Sequence, residues 1–311
     1  MAIETPPFFA QAALRLKSIP FRAYMEMTKP RIVTMVLITA GLGYFLGGMG
    51  LHSLEGLFFL LLGVSMTSSG AGVLNQYLER EFDAKMRRTK NRPIPSGAIS
   101  PIHALLFGEY LVLGGTFVLL IKINALTAFL ALLTTFLYVL VYTPMKRYSW
   151  LNTLIGAVPG ALPPMGGWTA ATGHLDPGAW ALFAILFIWQ MPHFYSIAWL
   201  FREDYAEAGF KMLPCEDPTG RRTFRQTVFF AALLIPISLI PAVIHLSGPL
   251  YAAGAVALGL WFLSASYSLM RTGTHAGARR VLKVSVMYLP ALLGLIVLDF
   301  SLSSFSWVGA L

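Results

Sequence analysis

Charged residues are scarce in this chain. Only 12% of its 311 residues are Asp, Glu, Lys or Arg, whereas a soluble domain typically carries about 25%. A single cysteine, Cys215, excludes both a disulfide framework and a zinc site built from cysteines. Because 56% of the residues are hydrophobic, an intrinsically disordered chain is excluded as well. The composition therefore predicts a membrane protein.

Long apolar runs take the place of the missing charge. About 20 mostly apolar residues are needed to cross a hydrocarbon core about 30 Å thick. Nine runs of this kind are visible, at residues 32–49, 56–78, 102–121, 123–145, 150–172, 177–200, 226–246, 250–270 and 281–298. Backbone in lipid must satisfy its own hydrogen bonds, and the alternating pattern of a membrane barrel is absent from the sequence. We predict an all-α bundle of nine transmembrane helices.

The predicted bundle forms one domain over residues 32–300. Residues 1–31 are predicted to be a cytoplasmic or interfacial segment and residues 301–311 a short C-terminal tail. Residues 7–26 mix apolar and basic side chains, which favours a short helix at the membrane surface, although a disordered leader fits equally well. No signal peptide and no Arg- and Ser-rich transit leader is visible, and we therefore expect a bacterial inner membrane.

Basic residues predict the orientation of the chain. Lys and Arg accumulate in short cytoplasmic loops, and 22 of the 23 basic residues precede the first run or follow an even-numbered one. Only Lys122 falls on the opposite face. We expect the N-terminus in the cytoplasm and the C-terminus outside. The net charge of +9 therefore requires no nucleic-acid partner, and the lipid bilayer is the expected surrounding.

Acidic and amide side chains gather at two places on the predicted cytoplasmic face. Asn75, Glu79 and Asp83 end the second run at intervals of four residues and therefore share one stripe of a helix. Asp204 follows the sixth run within a second acidic cluster. A stripe of acids by itself is typical of a solvated helix face. Here the stripe lies at the end of a predicted span, and a second acidic cluster follows the sixth run, so a binding site is favoured. Mg²⁺ prefers oxygen ligands of this kind together with substrate phosphates. These four residues are the predicted catalytic and metal ligands.

Basic residues near these clusters predict a diphosphate ligand. Arg and Lys bind phosphate oxygens, and neither a Walker lysine loop nor a dinucleotide glycine fingerprint is present in the sequence. The candidate diphosphate ligands are Lys85, Arg88, Arg92, Lys146, Arg147 and Tyr142. Tyr142 could instead be an interfacial anchor. The reaction chamber that would hold this ligand would lie inside a bundle that is exposed to lipid. We therefore expect the organic part of the ligand to be an isoprenoid.

Between Thr28 and about Pro214, several sequence motifs resemble those of one family, both in their residues and in their order along the chain. They include Lys29-Pro-Arg-Ile32, the segment from Asn75-Gln-Tyr-Leu-Glu to Arg92-Pro93, Tyr142-Thr-Pro-Met-Lys146-Arg147 and Pro192-His193-Phe194. These motifs resemble the UbiA-type intramembrane prenyltransferases, and most closely the branch that farnesylates heme B. Glu79 stands where many relatives have Asp, and Phe210-Lys211 replaces a branched apolar residue followed by proline.

The resemblance implies transfer of a farnesyl group from farnesyl diphosphate to a vinyl group of heme B. Water addition would give heme O and diphosphate, with Mg²⁺ bound beside the diphosphate and heme B as substrate rather than cofactor. The active site would face the cytoplasm, and a downstream heme-modifying membrane enzyme is a candidate partner. The alternatives are a related enzyme with a 4-hydroxybenzoate-like aromatic acceptor and, from another class, a membrane transporter. A transporter would favour charges near the midplane of the membrane.

Two further features carry expectations. His193 lies about two-thirds along the sixth run, where it is a candidate for ligating heme iron or orienting the porphyrin; a packing histidine is the alternative. The fifth run is rich in glycine and proline, with Pro159, Pro163 and Pro164 among them. We expect a kinked helix that permits close backbone approach and forms a wall of the chamber.

Overall fold

The computed structural model describes residues 21–308, with side chains described for residues 21–300. Most of the predicted interfacial helix over residues 7–26 and the end of the predicted tail lie outside the described residues. Within the described part of the chain every regular element is helical and no strand occurs, which confirms the predicted all-α fold. The α-helices in chain order are α1 (Phe21–Met27), α2 (Pro30–Gly47), α3 (Leu54–Asp83), α4 (Pro101–Lys122), α5 (Ala125–Phe136), α6 (Thr143–Met145), α7 (Asn152–Thr172), α8 (Pro177–Leu200), α9 (Arg202–Glu207), α10 (Arg221–Ser238), α11 (Ile240–Val243), α12 (Pro249–Thr272) and α13 (His275–Val308).

Local sequence explains where many of these helices begin. Four of the long helices start at a proline, whose fixed φ suits the first helical position and whose missing N–H leaves no donor unpaired: Pro30, Pro101, Pro177 and Pro249. The hydroxyl of Ser53 accepts a hydrogen bond from the Gly56 amide and caps α3. α3 then runs for 30 residues. Since about 20 residues cross the hydrocarbon core, the last turns of α3 extend to or beyond its edge.

Eight helical segments of the described chain are long and apolar enough to cross a membrane. They are Pro30–Gly47, Leu54–Asp83, Pro101–Lys122, Ala125–Met145, Pro177–Leu200, Arg221–Val243, Pro249–Thr272 and His275–Phe300. The predicted fifth run also forms a helix, α7, but α7 is not among these eight. Its glycines, prolines and polar residues make it less apolar than the others.

α7 packs against α2 with backbone touching backbone. A Cβ atom on Gly43 of α2 would collide with the Pro164 carbonyl oxygen, and a Cβ atom on Gly167 of α7 would collide with the Ala40 carbonyl oxygen. More than half of the α7 residues are buried. The predicted close backbone approach is therefore confirmed.

An irregular turn of helix precedes α6. The chain continues from α5 into a π-helical segment, Leu137–Tyr142, before α6. The Thr143 hydroxyl donates to the Tyr138 carbonyl oxygen at 2.8 Å, within this widened segment. Insertions of this kind occur often at functional sites because they reorient the side chains that follow. Here the residues that follow are Thr143 and Lys146, both of which contact α3.

Candidate active site

The predicted stripe on α3 faces the inside of the bundle. Asn75 is 2% exposed, Glu79 is 4% exposed and Asp83 is fully buried, whereas the neighbouring Glu81 is exposed. The alternative of a solvated acidic helix face is therefore wrong. A buried carboxylate loses its hydration and is stable only when a cation or hydrogen-bond donors replace the water.

Lys146 supplies that cation for Glu79. Its Nζ atom lies 2.7 Å from Glu79 Oε1, and both side chains are largely buried. The same ammonium lies 4.6 Å from the centroid of the Tyr142 ring. Although burial alone would lower the pKa of Lys146, the Glu79 carboxylate raises that pKa above its usual range. The pair therefore remains ionised as a unit.

Asp83 is held by Arg92 and keeps one oxygen unused. Arg92 Nη1 donates to Asp83 Oδ2 at 2.6 Å, and the Thr89 hydroxyl donates to the Asp83 backbone carbonyl at 2.9 Å. The other carboxylate oxygen, Asp83 Oδ1, is buried and has no hydrogen-bond partner among the described residues. An acceptor in this state has unused capacity for a cation.

Asn75 is fixed at both ends of its amide. Lys29 Nζ donates to Asn75 Oδ1 at 2.8 Å, and Asn75 Nδ2 donates to the Thr143 hydroxyl at 2.9 Å. Burial lowers the pKa of Lys29 to about 7; the nearby Arg92 also lowers it, and Glu79 opposes the shift. From the sequence, Lys29 entered as a basic residue that indicates orientation and as part of the Lys29-Pro-Arg-Ile32 motif, and it was not predicted as a site residue. Its position directly before Pro30, at the start of a span, was the available signal.

Asp204 comes from α9, on the other side of the site. Arg87 Nε lies 3.3 Å from Asp204 Oδ1, and Arg88 Nη2 donates to the Tyr205 hydroxyl at 3.1 Å. The Phe82 ring stacks on the Phe210 ring with centroids 5.3 Å apart. These contacts join the loop after α3 to the segment after α8, so both acidic clusters lie at the same end of the bundle.

We call the eight residues of these four contacts the paired cluster. They are Asn75 with Lys29, Glu79 with Lys146, Asp83 with Arg92, and Asp204 with Arg87. Each of the four predicted oxygen ligands is thus engaged by one basic side chain.

The predicted diphosphate ligands Arg147, Lys85 and Tyr142 do not contact the four oxygen ligands directly by hydrogen bond or ion pair. Arg147 donates to the Leu78 carbonyl oxygen at 3.1 Å and lies over the Phe82 ring, with its Cζ atom 4.1 Å from the centroid. Lys85 is exposed, and its Nζ atom lies 5.6 Å from the same ring. Tyr142 stacks on Tyr138 beneath Lys146.

His193 lies apart from the paired cluster, between α8 and α13. Its Nδ1 atom is 2.8 Å from the Ser285 hydroxyl oxygen, and the Ser285 hydroxyl donates to the Leu282 carbonyl at 2.7 Å. The Trp189 ring stacks on the imidazole at 5.0 Å, and its indole N–H donates to the Ser285 carbonyl. His193 therefore belongs to a contact between two helices.

The donor set fits Mg²⁺ only in company with phosphate. In the described part of the chain, no group of three or more His, Cys, Asp or Glu side chains is close enough to hold a metal ion by itself. The available donors are hard oxygens, including the unpartnered Asp83 Oδ1. Mg²⁺ usually binds through one or two carboxylates plus substrate phosphates, which matches such a set. The basic partners of the cluster carry the complementary charge for those phosphates.

Comparison with known proteins gives concordant results. The UbiA prenyltransferase family matches residues 36–295. The protoheme IX farnesyltransferase of Solibacter usitatus is 47% identical over 89% of this chain and 98% of its own length. That of Salinibacter ruber is 46% identical over 90% of this chain and 99% of its own length.

Solved structures share the fold at low identity. A digeranylgeranylglyceryl phosphate synthase superposes with a TM-score of 0.77 at 18% identity, covering 90% of this chain and 98% of that one. A UbiA homolog from Archaeoglobus fulgidus bound to GPP and Mg²⁺ has a TM-score of 0.64 at 15% identity, covering 88% of this chain and 99% of that one. With the family match and both relatives extending over most of the chain, this protein belongs to the UbiA prenyltransferase family.

Proposed function

We propose that this chain transfers the farnesyl group of farnesyl diphosphate to a vinyl group of heme B, with addition of water, to give heme O and diphosphate. The paired cluster carries this proposal, because three of its four contacts, those of Asn75, Glu79 and Asp83, combine buried oxygen ligands with cations that can bind phosphate. The choice of heme B as acceptor is supported by relatives named protoheme IX farnesyltransferase at 47% and 46% identity.

The reaction is an ionisation followed by two additions. The bond between farnesyl C1 and the diphosphate oxygen breaks, and the diphosphate departs with the electron pair. The electrons of the vinyl double bond then form the new bond to C1 and leave a cation on the carbon beside the porphyrin ring. Water adds to that carbon and loses a proton. The first cation must be shielded from water until the carbon–carbon bond has formed.

The paired cluster is proposed to bind and stabilise the leaving diphosphate. Asn75, Glu79, Asp83 and Asp204 are the residues proposed to hold Mg²⁺, which supplies electrostatic stabilisation of the leaving group when bound there. A UbiA homolog from Archaeoglobus fulgidus was solved with GPP and Mg²⁺, which supports this part of the proposal. With the carboxylates holding Mg²⁺, Lys146 and Arg92 would be free to bind phosphate oxygens, where they would stabilise the charge that develops on the leaving group.

The other predicted diphosphate ligands are proposed to contribute less to diphosphate binding, or to contribute only after a present contact is released. Arg88 and Lys85 lie on the exposed loop after α3 and can approach a bound diphosphate from the aqueous side. Arg147 would have to release the Leu78 carbonyl before binding phosphate. Tyr142 supports the Lys146 ammonium through its ring, and this is the part we propose for it.

The farnesyl tail is proposed to lie along the same face of α3. Continuing the stripe of Asn75 backwards by three or four residues at a time leads to Ala71, Thr67 and Val64, with each step shifting about 5–6 Å along the helix. These three residues line an apolar pocket between α2, α3, α5 and α7. Its other lining residues include Val36, Leu130 and Leu162. The polar and apolar parts of one prenyl diphosphate would thus follow a single face of one helix.

His193 is proposed as the heme-binding residue. Because the Ser285 hydroxyl hydrogen already goes to the Leu282 carbonyl, the Ser285 oxygen accepts from the His193 Nδ1 hydrogen. The assignment leaves the lone pair on His193 Nε2, which is the form of imidazole that ligates iron. The contact with α13 fixes the ring orientation, as the partners of metal-bound histidines commonly do.

The proposed arrangement in the membrane has nine spans. α7 is the ninth crossing helix, the N-terminus and the active site face the cytoplasm, and the C-terminus lies outside in a bacterial inner membrane. The distribution of basic residues supports this orientation. The proposed domain is residues 32–300, with segments 1–31 and 301–311 flanking it. A downstream heme-modifying membrane enzyme is the proposed receiver of the product.

One incubation tests the acceptor. Purified protein is mixed with labelled farnesyl diphosphate and Mg²⁺, with either heme B or 4-hydroxybenzoate as acceptor, and the products are identified by mass spectrometry. We expect a labelled hydroxyethylfarnesyl heme from heme B only. Labelled product from the phenol alone would contradict the assignment and favour the aromatic-acceptor alternative.

A further inference from the structure

Lys29 sits in a backbone conformation that its residue type rarely adopts. Its φ of 53° and ψ of 59° lie in the left-handed region, where a residue with a Cβ atom is strained. The conformation is held from both sides: the Lys29 amide donates to the Glu26 carbonyl, and the Ile32 amide donates to the Lys29 carbonyl. Strain of this kind persists only where the surrounding structure enforces it.

The turn at Lys29 is also attached to α3. Gln76 Nε2 donates to the Met27 carbonyl oxygen at 2.9 Å, and the next residue back along α3, Asn75, accepts from Lys29 Nζ at 2.8 Å. Two consecutive α3 side chains therefore hold the end of α1 and the start of α2. The strained turn directs the Lys29 ammonium into the paired cluster instead of toward water or lipid headgroups.

The Lys29 ammonium occupies an oxygen that the proposed function gives to a metal. The Lys29 ammonium donates to Asn75 Oδ1 and Asn75 Nδ2 donates to the Thr143 hydroxyl, so these two contacts fix which end of the amide is the oxygen. A divalent cation on Asn75 Oδ1 and an ammonium on the same oxygen would repel each other strongly at this distance. When the oxygen turns to a metal, Lys29 must therefore find another acceptor. Farnesyl diphosphate is the substrate proposed to bind at the paired cluster, and its diphosphate is the anionic acceptor that it brings there.

We propose that Lys29 is a positioning residue that exchanges partners: it orients the Asn75 amide before substrate arrives and binds a phosphate oxygen of the diphosphate afterwards. This inference rests on the diphosphate site of the proposed function and adds a residue from the start of the first span to it. Before the exchange the ammonium donates to Asn75 Oδ1. In the loaded state it adds a direct contact to the substrate.

Binding of inorganic pyrophosphate to the full-length protein tests the second half of this exchange. Titration calorimetry with Mg²⁺ present compares the wild type with Lys29→Met and Lys29→Arg. Arg31→Met is the matched control, because Arg31 is an exposed cation two residues further along the chain, in the first turn of α2. We expect about a tenfold loss of pyrophosphate affinity in Lys29→Met, partial recovery in Lys29→Arg and no change in Arg31→Met. Affinity in Lys29→Met within twofold of the wild type would overturn the proposal.

Binding of Mn²⁺ without pyrophosphate, followed by electron paramagnetic resonance, tests the first half. Removing the ammonium frees Asn75 Oδ1 and removes a repelling charge, and we expect Lys29→Met to bind Mn²⁺ more tightly than the wild type. A residue with a merely structural part would weaken metal and pyrophosphate binding together and lower the thermal midpoint, and that result would also overturn the proposal.

The controls separate this inference from the proposed function. If wild-type protein binds no pyrophosphate with Mg²⁺, the diphosphate site itself fails. If the wild type binds it and Lys29→Met binds it equally well, only the part given to Lys29 fails. The identity of the prenyl acceptor affects neither result.

Discussion

Two groups of positive charge lie at the same end of the bundle and differ in how they are compensated. In the paired cluster, Lys146 and Arg92 neutralise buried carboxylates at 2.7 and 2.6 Å. A second group, which we call the basic corner, is formed by Arg221, Arg222, Arg225, Arg271, Arg279, Arg280 and Lys283. All seven are exposed, and no ion pair within the described residues involves any of them.

Ring contacts place the two groups at the same end. Trp199, near the end of α8, meets Phe224, near the start of α10, with centroids 4.6 Å apart. A Cβ atom on Gly273, between α12 and α13, would lie 3.6 Å from the Phe224 ring. The basic corner therefore adjoins the segment that carries Asp204. The positive-inside rule accounts for the basic corner, but it does not account for buried carboxylates at the paired cluster. The proposed site therefore rests on acids that are buried against cations, and not on cations alone.

The largest expected effect is at Glu79. Glu79→Gln removes the negative charge proposed to hold the metal and leaves the Lys146 ammonium without its counter-ion. We expect transfer activity to fall by about 1,000-fold, the upper end for loss of one electrostatic contact in an active site.

Glu81→Gln is the control for that loss. Glu81 lies two residues away on the same helix, is exposed and forms an ion pair with Arg80. Its activity is expected to stay within about twofold of the wild type, since exposed pairs contribute little. Near-full activity in both Glu79→Gln and Asp83→Asn, measured with correctly inserted protein, would contradict the metal assignment.

Arg92→Gln compares the two groups of cations directly. Arg92 contacts the buried Asp83, whereas Arg225 belongs to the basic corner. We expect about a 100-fold loss of activity for Arg92→Gln and almost none for Arg225→Gln. Activity is measured at saturating farnesyl diphosphate and equal protein concentration. Equal losses of activity in the two variants would mean that contact with a buried acid does not distinguish the paired cluster from the basic corner.

A double-mutant cycle sharpens the interpretation of the Glu79–Lys146 contact. Removing either partner leaves an uncompensated buried charge and is expected to destabilise the protein by about 3 kcal/mol. Removing both, as Glu79→Gln with Lys146→Gln, should be less destabilising than the sum of the singles by about 1–3 kcal/mol. Thermal unfolding of the four proteins in one detergent measures the cycle. Additive effects would show that the contact is energetically unimportant.

The smallest effect is expected at Arg87. Its side chain is 70% exposed and lies 3.3 Å from Asp204, so solvent and salt screen the contact. Such pairs contribute about 0.2–1 kcal/mol, which corresponds to less than about a fivefold change in activity for Arg87→Gln. Asp204→Asn should lose far more, because the carboxylate itself is proposed to hold metal. Comparable losses in the two variants would assign the function to the ion pair.

The sequence was sufficient for the helical fold and for the common end of the two acidic segments. The apolar runs required helices, and the interval of four residues put Asn75, Glu79 and Asp83 on one stripe. The burial of that stripe was not determined by spacing, because the same interval is compatible with a solvated face. The roles of these residues in metal and phosphate binding remain predictions.

The basic residues that contact the stripe on α3 could not be predicted from the spacing of residues in the sequence, because their positions depend on irregular backbone. Lys29 reaches Asn75 across 46 positions through a left-handed turn. Lys146 approaches Glu79 after a π-helical segment that an ordinary helical pattern does not reveal. Arg147 has the same charge as its neighbour Lys146 yet binds the Leu78 carbonyl. Phe210, a departure from the family pattern, proves to be a buried ring stacked on Phe82.

The position of the metal and the diphosphate in the folded protein decides whether the paired cluster is the active site. A structure is determined with Mn²⁺ and an unreactive farnesyl thiolodiphosphate, and anomalous scattering locates the metal. We expect manganese between Asp83 on α3 and Asp204 on α9, with the diphosphate in contact with Lys146 and Arg92. Manganese at the opposite end of the bundle, or a diphosphate seated on the basic corner, would contradict the account.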